Sequence, residues 1–179
     1  YTIFANKEMR EAENQDKENQ LSLLIGNVYQ PNIEYQKTID QVREHDPDMF
    51  IFVEVNQEWN KQLDILTESY PYTILAPLEN MYGMVLYSKF PLKNRNIQYL
   101  VKDDIPSIKC TTELPSGKEI LTYFIHPEPP SPSESSYSTN KDKELMKVAE
   151  EVAESNQATI VAGDLNDVAW RSNTKLFQK

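Results

Sequence analysis

An α/β layered domain, its strands covered by helices or by a second sheet, is the fold class this sequence predicts. Three observations carry that expectation. Short apolar runs such as Phe50-Ile-Phe-Val and Thr159-Ile-Val-Ala-Gly are continuous rather than alternating, as strands buried on both faces require. Between them lie segments with apolar residues at helical spacing: Tyr35, Ile39 and Val42, and later Leu145, Val148, Ala149 and Val152. A chain of 179 residues is also large enough to bury a core as one domain.

Residues 1–20 are set apart as a polar N-terminal arm, because positions 5–20 have almost no apolar content; residues 21–179 form the domain. Leu21 to Val28 reads as a buried strand. Glu34 to His45 reads as a helix, with Asn32 as N-cap and Asp46-Pro47 as the stop, and His45 placed to satisfy the last carbonyls. Met49 to Val55 is a second strand. Trp59, Leu63 and Leu66 mark a helix entered through Asn56. Tyr70–Leu75, Gly83–Ser88, Ile108–Thr112 and Glu119–Ile125 follow as strands, several parted by Pro and Gly turns such as Leu114-Pro-Ser-Gly117. His126 to Ser138, rich in Pro and Ser, reads as an exposed loop. Thr139 then caps a long helix, with Asp142 completing an approximate capping box, and the strand Thr159–Gly163 comes last.

The formal charge is −10, from 18 basic and 28 acidic residues. A sequence-independent grip on nucleic acid needs clustered Lys and Arg. The densest basic group, Lys89, Lys93 and Arg95, is too dispersed for that. An acidic protein that handles phosphate is therefore expected to use a metal cation to offset charge. No apolar run approaches the roughly 20 residues of a bilayer-spanning helix. Cys110 stands alone, so no intrachain disulfide is possible.

Four apolar runs end on side chains that bind cations, move protons or hold phosphate oxygens. The first ends in Asn27, the next in Glu54, a third in His126, and the last in Asp164 and Asn166. In α/β sheets ligands gather beyond the carboxyl ends of strands, where such tips can converge. Glu54 is the metal candidate, with the Asn27 amide nearby. Mg²⁺ takes one or two carboxylates and completes its shell with water and phosphate, whereas two histidines and one cysteine, spread along the chain, do not make a zinc set. The alternative for Glu54 is a solvated edge carboxylate, or an N-terminal partner for the following helix. His126 can donate a hydrogen bond or proton to a phosphoryl oxygen, or it is simply a turn histidine before Pro127. Asp164 and Asn166 lie two apart, so an extended segment would place both on one side, the carboxylate for water and the amide for phosphate, with Leu165 turned to the core. The alternative is an Asx turn that closes the strand.

Asn27 after an apolar strand, Phe-Val-Glu54-Val, Gly83-Met-Val-Leu-Tyr-Ser88-Lys-Phe-Pro91, Phe-Ile-His126-Pro and Gly163-Asp164-Leu-Asn166-Asp167 together resemble the endonuclease/exonuclease/phosphatase superfamily of deoxyribonuclease-I-like proteins. The likeness is greatest to uncharacterised bacterial members, often preceded by membrane helices. It implies a four-layer α/β/β/α sandwich and Mg²⁺- or Mn²⁺-dependent hydrolysis of a phosphodiester or phosphomonoester. Nucleic acid, nucleotide, inositol phosphate and phospholipid head group are all open as substrates. Carried over by position, Glu54 would bind metal, and Asn27 would support the metal or the phosphate. His126 would contact the scissile phosphate, while Asp164 and Asn166 would position water and phosphate.

The family's late Asp-His pair has no counterpart here, since no histidine follows His126. The expectation is a domain incomplete at its C-terminus and at best feebly active in this form, with a homodimer through an exposed sheet edge and a membrane tether upstream of residue 1. The competing expectation is a pseudoenzyme or interaction module that keeps the fold without the chemistry.

Overall fold

A computed structural model of the protein describes residues 17–129 and 140–166. Residues 1–16 of the polar arm, the stretch 130–138 of the Pro/Ser loop, the cap Thr139 and Asp167 lie outside the described residues. The first sheet contains β1 (Leu23–Asn27), β2 (Met49–Val53), β3 (Tyr72–Ala76) and β4 (Met84–Ser88) in the order β1-β2-β4-β3. The second contains β5 (Leu92–Gln98), β6 (Ser107–Glu113), β7 (Glu119–Ile125) and β8 (Thr159–Gly163) in sequential order. Helices α1 (Tyr35–His45) and α2 (Gln57–Leu63) cover the first sheet, and α3 (Asn140–Glu154) covers the second.

These are the four layers, helix, sheet, sheet, helix, and side-chain alternation builds them. In β2 every residue is buried because each face has a cover. Phe50 and Phe52 join Trp59, Leu63 and Tyr87 beneath the helices, whereas Met49, Ile51 and Val53 meet Leu86, Ile108 and Phe124 between the sheets. In β7, Leu121, Tyr123 and Ile125 point instead to Val148 of α3. An apolar run without alternation is thus two half-cores sharing one strand.

The local signals account for most boundaries. Asn56 Oδ1 accepts the Trp59 N–H at 2.9 Å and so caps α2. Asp46 ends α1 in a left-handed conformation at φ 42°, its N–H on the Val42 carbonyl, and His45 Nδ1 lies 2.9 Å from the Gln41 carbonyl. Asn32 does not cap α1. Its Oδ1 accepts the Glu34 N–H at 3.0 Å in a turn of its own, and the helix starts one residue after Glu34.

Three differences have physical causes. Strand β5, Leu-Lys-Asn-Arg-Asn-Ile-Gln, is too polar to read as a strand; it is an outer strand with an irregular register between Lys93 and Asn96, and pairing with β6 supplies what apolar content does not. Strands β1 and β8 are largely half-buried, not fully buried, because among the described residues each is an outer strand of its sheet. His126 and Pro127, expected in an exposed loop, are buried. The basic residues are also committed: Lys89 pairs with Asp46, and Lys93 with Glu113 and Glu119, while Arg95 Nε donates to the Leu92 carbonyl. Among the described residues no helix is long and apolar enough to cross a membrane.

Candidate active site

Parallel pairing brings the strand tips together. In the first sheet β1 runs parallel to β2 with Asn27 opposite Val53, so Glu54 emerges beside Asn27. In the second sheet β7 runs parallel to β8 with Ile125 opposite Gly163, so His126 and Asp164 emerge side by side. The sheets stack with these two ends at one edge of the sandwich. Asn27 spans the gap: its Nδ2 donates to Glu54 Oε1 at 2.6 Å and to Asp164 Oδ2 at 3.2 Å. Glu54 and Asp164 therefore share one amide group, which lies 137 positions from the second acid in the chain.

Each carboxylate is aimed by backbone. The Gln30 N–H donates to Glu54 Oε2 at 3.3 Å, and the Asn166 N–H to Asp164 Oδ1 at 3.1 Å. The Asn27 Oδ1 is taken by the Tyr29 N–H at 2.8 Å, which turns the amide nitrogen toward the two acids. No ion pair reaches Glu54 or Asp164 among the described residues. Two half-buried carboxylates thus meet across a neutral amide, and among the described residues no ion pair offsets them. That arrangement suits a hard divalent ion, which takes carboxylate oxygens and fills its remaining positions with water and phosphate. No group of three or more His, Cys, Asp or Glu side chains suited to a metal occurs among the described residues.

His126 is 3% exposed, with its ring 5.4 Å from that of Tyr82 and its Nδ1 without a hydrogen-bond partner among the described residues. Burial pushes its pKa below the ordinary imidazole value, and the negative charges of Asp164 and Glu54 pull it partly back. The neutral ring carries one N–H, which makes it a hydrogen-bond donor in a buried wall. Asn166 does not continue an extended segment. It sits at φ 46° in an Asx turn closed by Asp164, and its Nδ2 donates to the Pro127 carbonyl at 2.9 Å, tying the β8 tip to the segment after His126. Leu165, as expected, packs into the core under α3.

Backbone conformations uncommon for side-chain-bearing residues collect here. Tyr29 (φ 57°), Glu54 (φ 60°), Met81 (φ 70°) and Asn166 (φ 46°) all adopt them. Gly163 has φ 140°, and a Cβ on it would lie 1.9 Å from the Ile125 carbonyl oxygen. A glycine is thus needed to lay β8 against β7 immediately before Asp164. Sequence reading assigned no role to Gln30 or Tyr82. Gln30 lies within Asn-Val-Tyr-Gln-Pro-Asn, but nothing local shows that its main chain reaches a carboxylate 24 positions away.

The sequence model of the Endonuclease/Exonuclease/phosphatase family matches residues 27–179. No curated protein matches the chain in sequence. Among solved structures, D. rerio TDP2 complexed with single strand DNA product superposes with a TM-score of 0.71 at 16% identity, covering 88% of this chain and 64% of that one. The human Nocturnin catalytic domain with bound sulfate anion gives 0.69 at 18% identity, covering 87% and 68%. An endonuclease/exonuclease/phosphatase family protein from Bacteroides thetaiotaomicron gives 0.69 at 15% identity, covering 88% and 67%. At these identities the likeness is one of fold, and the chain spans less than two thirds of the D. rerio protein's length.

Proposed function

The chain belongs to the endonuclease/exonuclease/phosphatase family, and from that premise we propose that it is a divalent-metal-dependent phosphoesterase, using Mg²⁺ or Mn²⁺. Family membership supports phosphoester hydrolysis in general. The observation that carries the metal-dependent reading is the Asn27 amide held at 2.6 Å from Glu54 and 3.2 Å from Asp164, two acids that no ion pair reaches among the described residues.

In this reading Glu54 holds the ion, and Asn27 sets its spacing from Asp164. The bound ion would supply Lewis-acid stabilisation of the charge that builds on phosphorus oxygens. Neutral His126, buried in the wall of the site, donates its N–H to a phosphoryl oxygen. Asp164 accepts a proton from, and orients, the attacking water. Asn166, one of whose amide protons goes to the Pro127 carbonyl, would offer its second to a phosphate oxygen.

The test is hydrolysis of a generic phosphodiester during Mg²⁺ and Mn²⁺ titration, comparing wild type with Glu54→Gln and Asp164→Ala. Loss of a positioned proton-transfer or charge-stabilising group lowers kcat by about 10²-fold or more. Glu54→Gln should also shift the cation dependence to higher concentration. Rates indifferent to both substitutions and to the cation would overturn the proposal and leave the interaction-module reading.

A further inference from the structure

A buried imidazole is ordinarily aimed by a hydrogen bond to one of its nitrogens. In His126 the Nδ1 is closed to solvent and has no such partner among the described residues. A proton there would be a buried donor left unpaired, so the neutral ring carries its proton on Nε2. What holds the ring in that orientation is therefore packing. The aromatic contact comes from Tyr82, in the turn before β4, whose ring centroid lies 5.4 Å from that of His126 with 45° between the planes.

Tyr82 is itself held from several sides. Burial, then the negative charge of Glu128, raises its phenol pKa above the ordinary value, which places its hydroxyl end near the segment that follows His126. Its N–H donates to Asn80 Oδ1 at 3.1 Å, and Asn80 Nδ2 donates to the Asp104 carbonyl at 2.8 Å. Gln30 grips the same turn. Its Nε2 donates to the Glu79 carbonyl at 3.1 Å and its Oε1 accepts the Met81 N–H at 3.0 Å, while its own N–H reaches Glu54 Oε2 at 3.3 Å. Met81, within the gripped stretch, has φ 70°, a conformation that persists for such a residue only when its surroundings impose it. Contacts thus run from Glu54 through Gln30 and residues 79–82 to His126.

We propose that Gln30 and Tyr82 are positioning residues: the Gln30 side chain clamps the turn, and the Tyr82 ring, fixed by that clamp, holds the His126 imidazole in one orientation. The use of that orientation, to present Nε2–H to a phosphoryl oxygen, rests on the phosphoesterase reading. An aromatic pair of this kind favours one orientation by about twofold to tenfold.

Nitrogen–proton correlation spectra of the histidine rings at pH 8, without substrate, test the proposal. The chain has two histidines, and exposed His45 serves as the internal reference. His126 should be a single tautomer protonated on Nε2. Tyr82→Leu should give a tautomer mixture and lower kcat on bis(p-nitrophenyl) phosphate in Mg²⁺ by about tenfold, with KM changed by less than about threefold. Tyr82→Phe, which keeps the ring, should restore both. Gln30→Ala should give the same mixture, although Gln30 has no hydrogen bond to His126 among the described residues, and adding it to Tyr82→Leu should change the ratio no further. Gln30 is half-buried, so its variant keeps the fold and carries the test where Tyr82→Leu unfolds. A mixture already present in wild type, an unchanged tautomer in Tyr82→Leu, or a Tyr82→Phe as impaired as Tyr82→Leu would overturn the role of the ring. A Gln30→Ala spectrum identical to wild type would overturn the clamp. Because the spectra need no substrate, they decide the proposal even where wild type hydrolyses nothing, a result that would sink the phosphoesterase reading by itself.

Discussion

Replacing Glu144 by glutamine should stabilise the protein at pH 8 and leave it nearly unchanged at pH 4. Glu144 lies on α3, 4% exposed, with Oε1 lacking a hydrogen-bond partner among the described residues. Burial, reinforced by the negative charge of Glu128, pushes its pKa up to about 7 from the ordinary 4.5. A carboxyl whose folded pKa exceeds its unfolded value holds its proton more tightly when folded. Its contribution is fully present below pH 4.5 and is lost as pH rises through about 7. At about 1.4 kcal/mol per pH unit, the interval from 4.5 to about 7 corresponds to about 3 kcal/mol. Glutamine keeps the size and the uncharged state, so it avoids that loss at high pH and gains nothing at low pH. Urea unfolding of both proteins at pH 4 and pH 8 gives the double difference, in which other titrating groups cancel. A difference within about 1 kcal/mol of the same value at both pH values, or a less stable variant at pH 8, would refute the reasoning.

Two further substitutions probe the strand tips. Gly163→Ala should cost more than about 4 kcal/mol, because its Cβ would lie 1.9 Å from the Ile125 carbonyl oxygen at φ 140°. Gly117→Ala, at φ 81° with nothing within 4 Å, should cost about 1 kcal/mol, and equal losses in urea unfolding would contradict the close-packing account. Asn27→Asp replaces the bridging donor by a third carboxylate beside Glu54 and Asp164. Its melting temperature should fall in EDTA and recover with millimolar Mg²⁺, whereas one unchanged by either would argue against a cation at this position.

The sequence by itself determined the layered α/β class, the apolar strands β2, β4, β7 and β8, the Asn56 cap, the Asp46 stop and which polar side chain ends each strand. These are local properties: apolar continuity, capping geometry and side-chain type are all read within a few residues. The tertiary structure alone decided that β5 is a strand, that His126 is buried beside Tyr82, and that Gln30 ties two loops to Glu54. It alone placed Asn27 between Glu54 and Asp164. Those facts depend on which strands pair in parallel and how two sheets stack, and contacts across 24 to 137 positions leave no periodic trace in the chain.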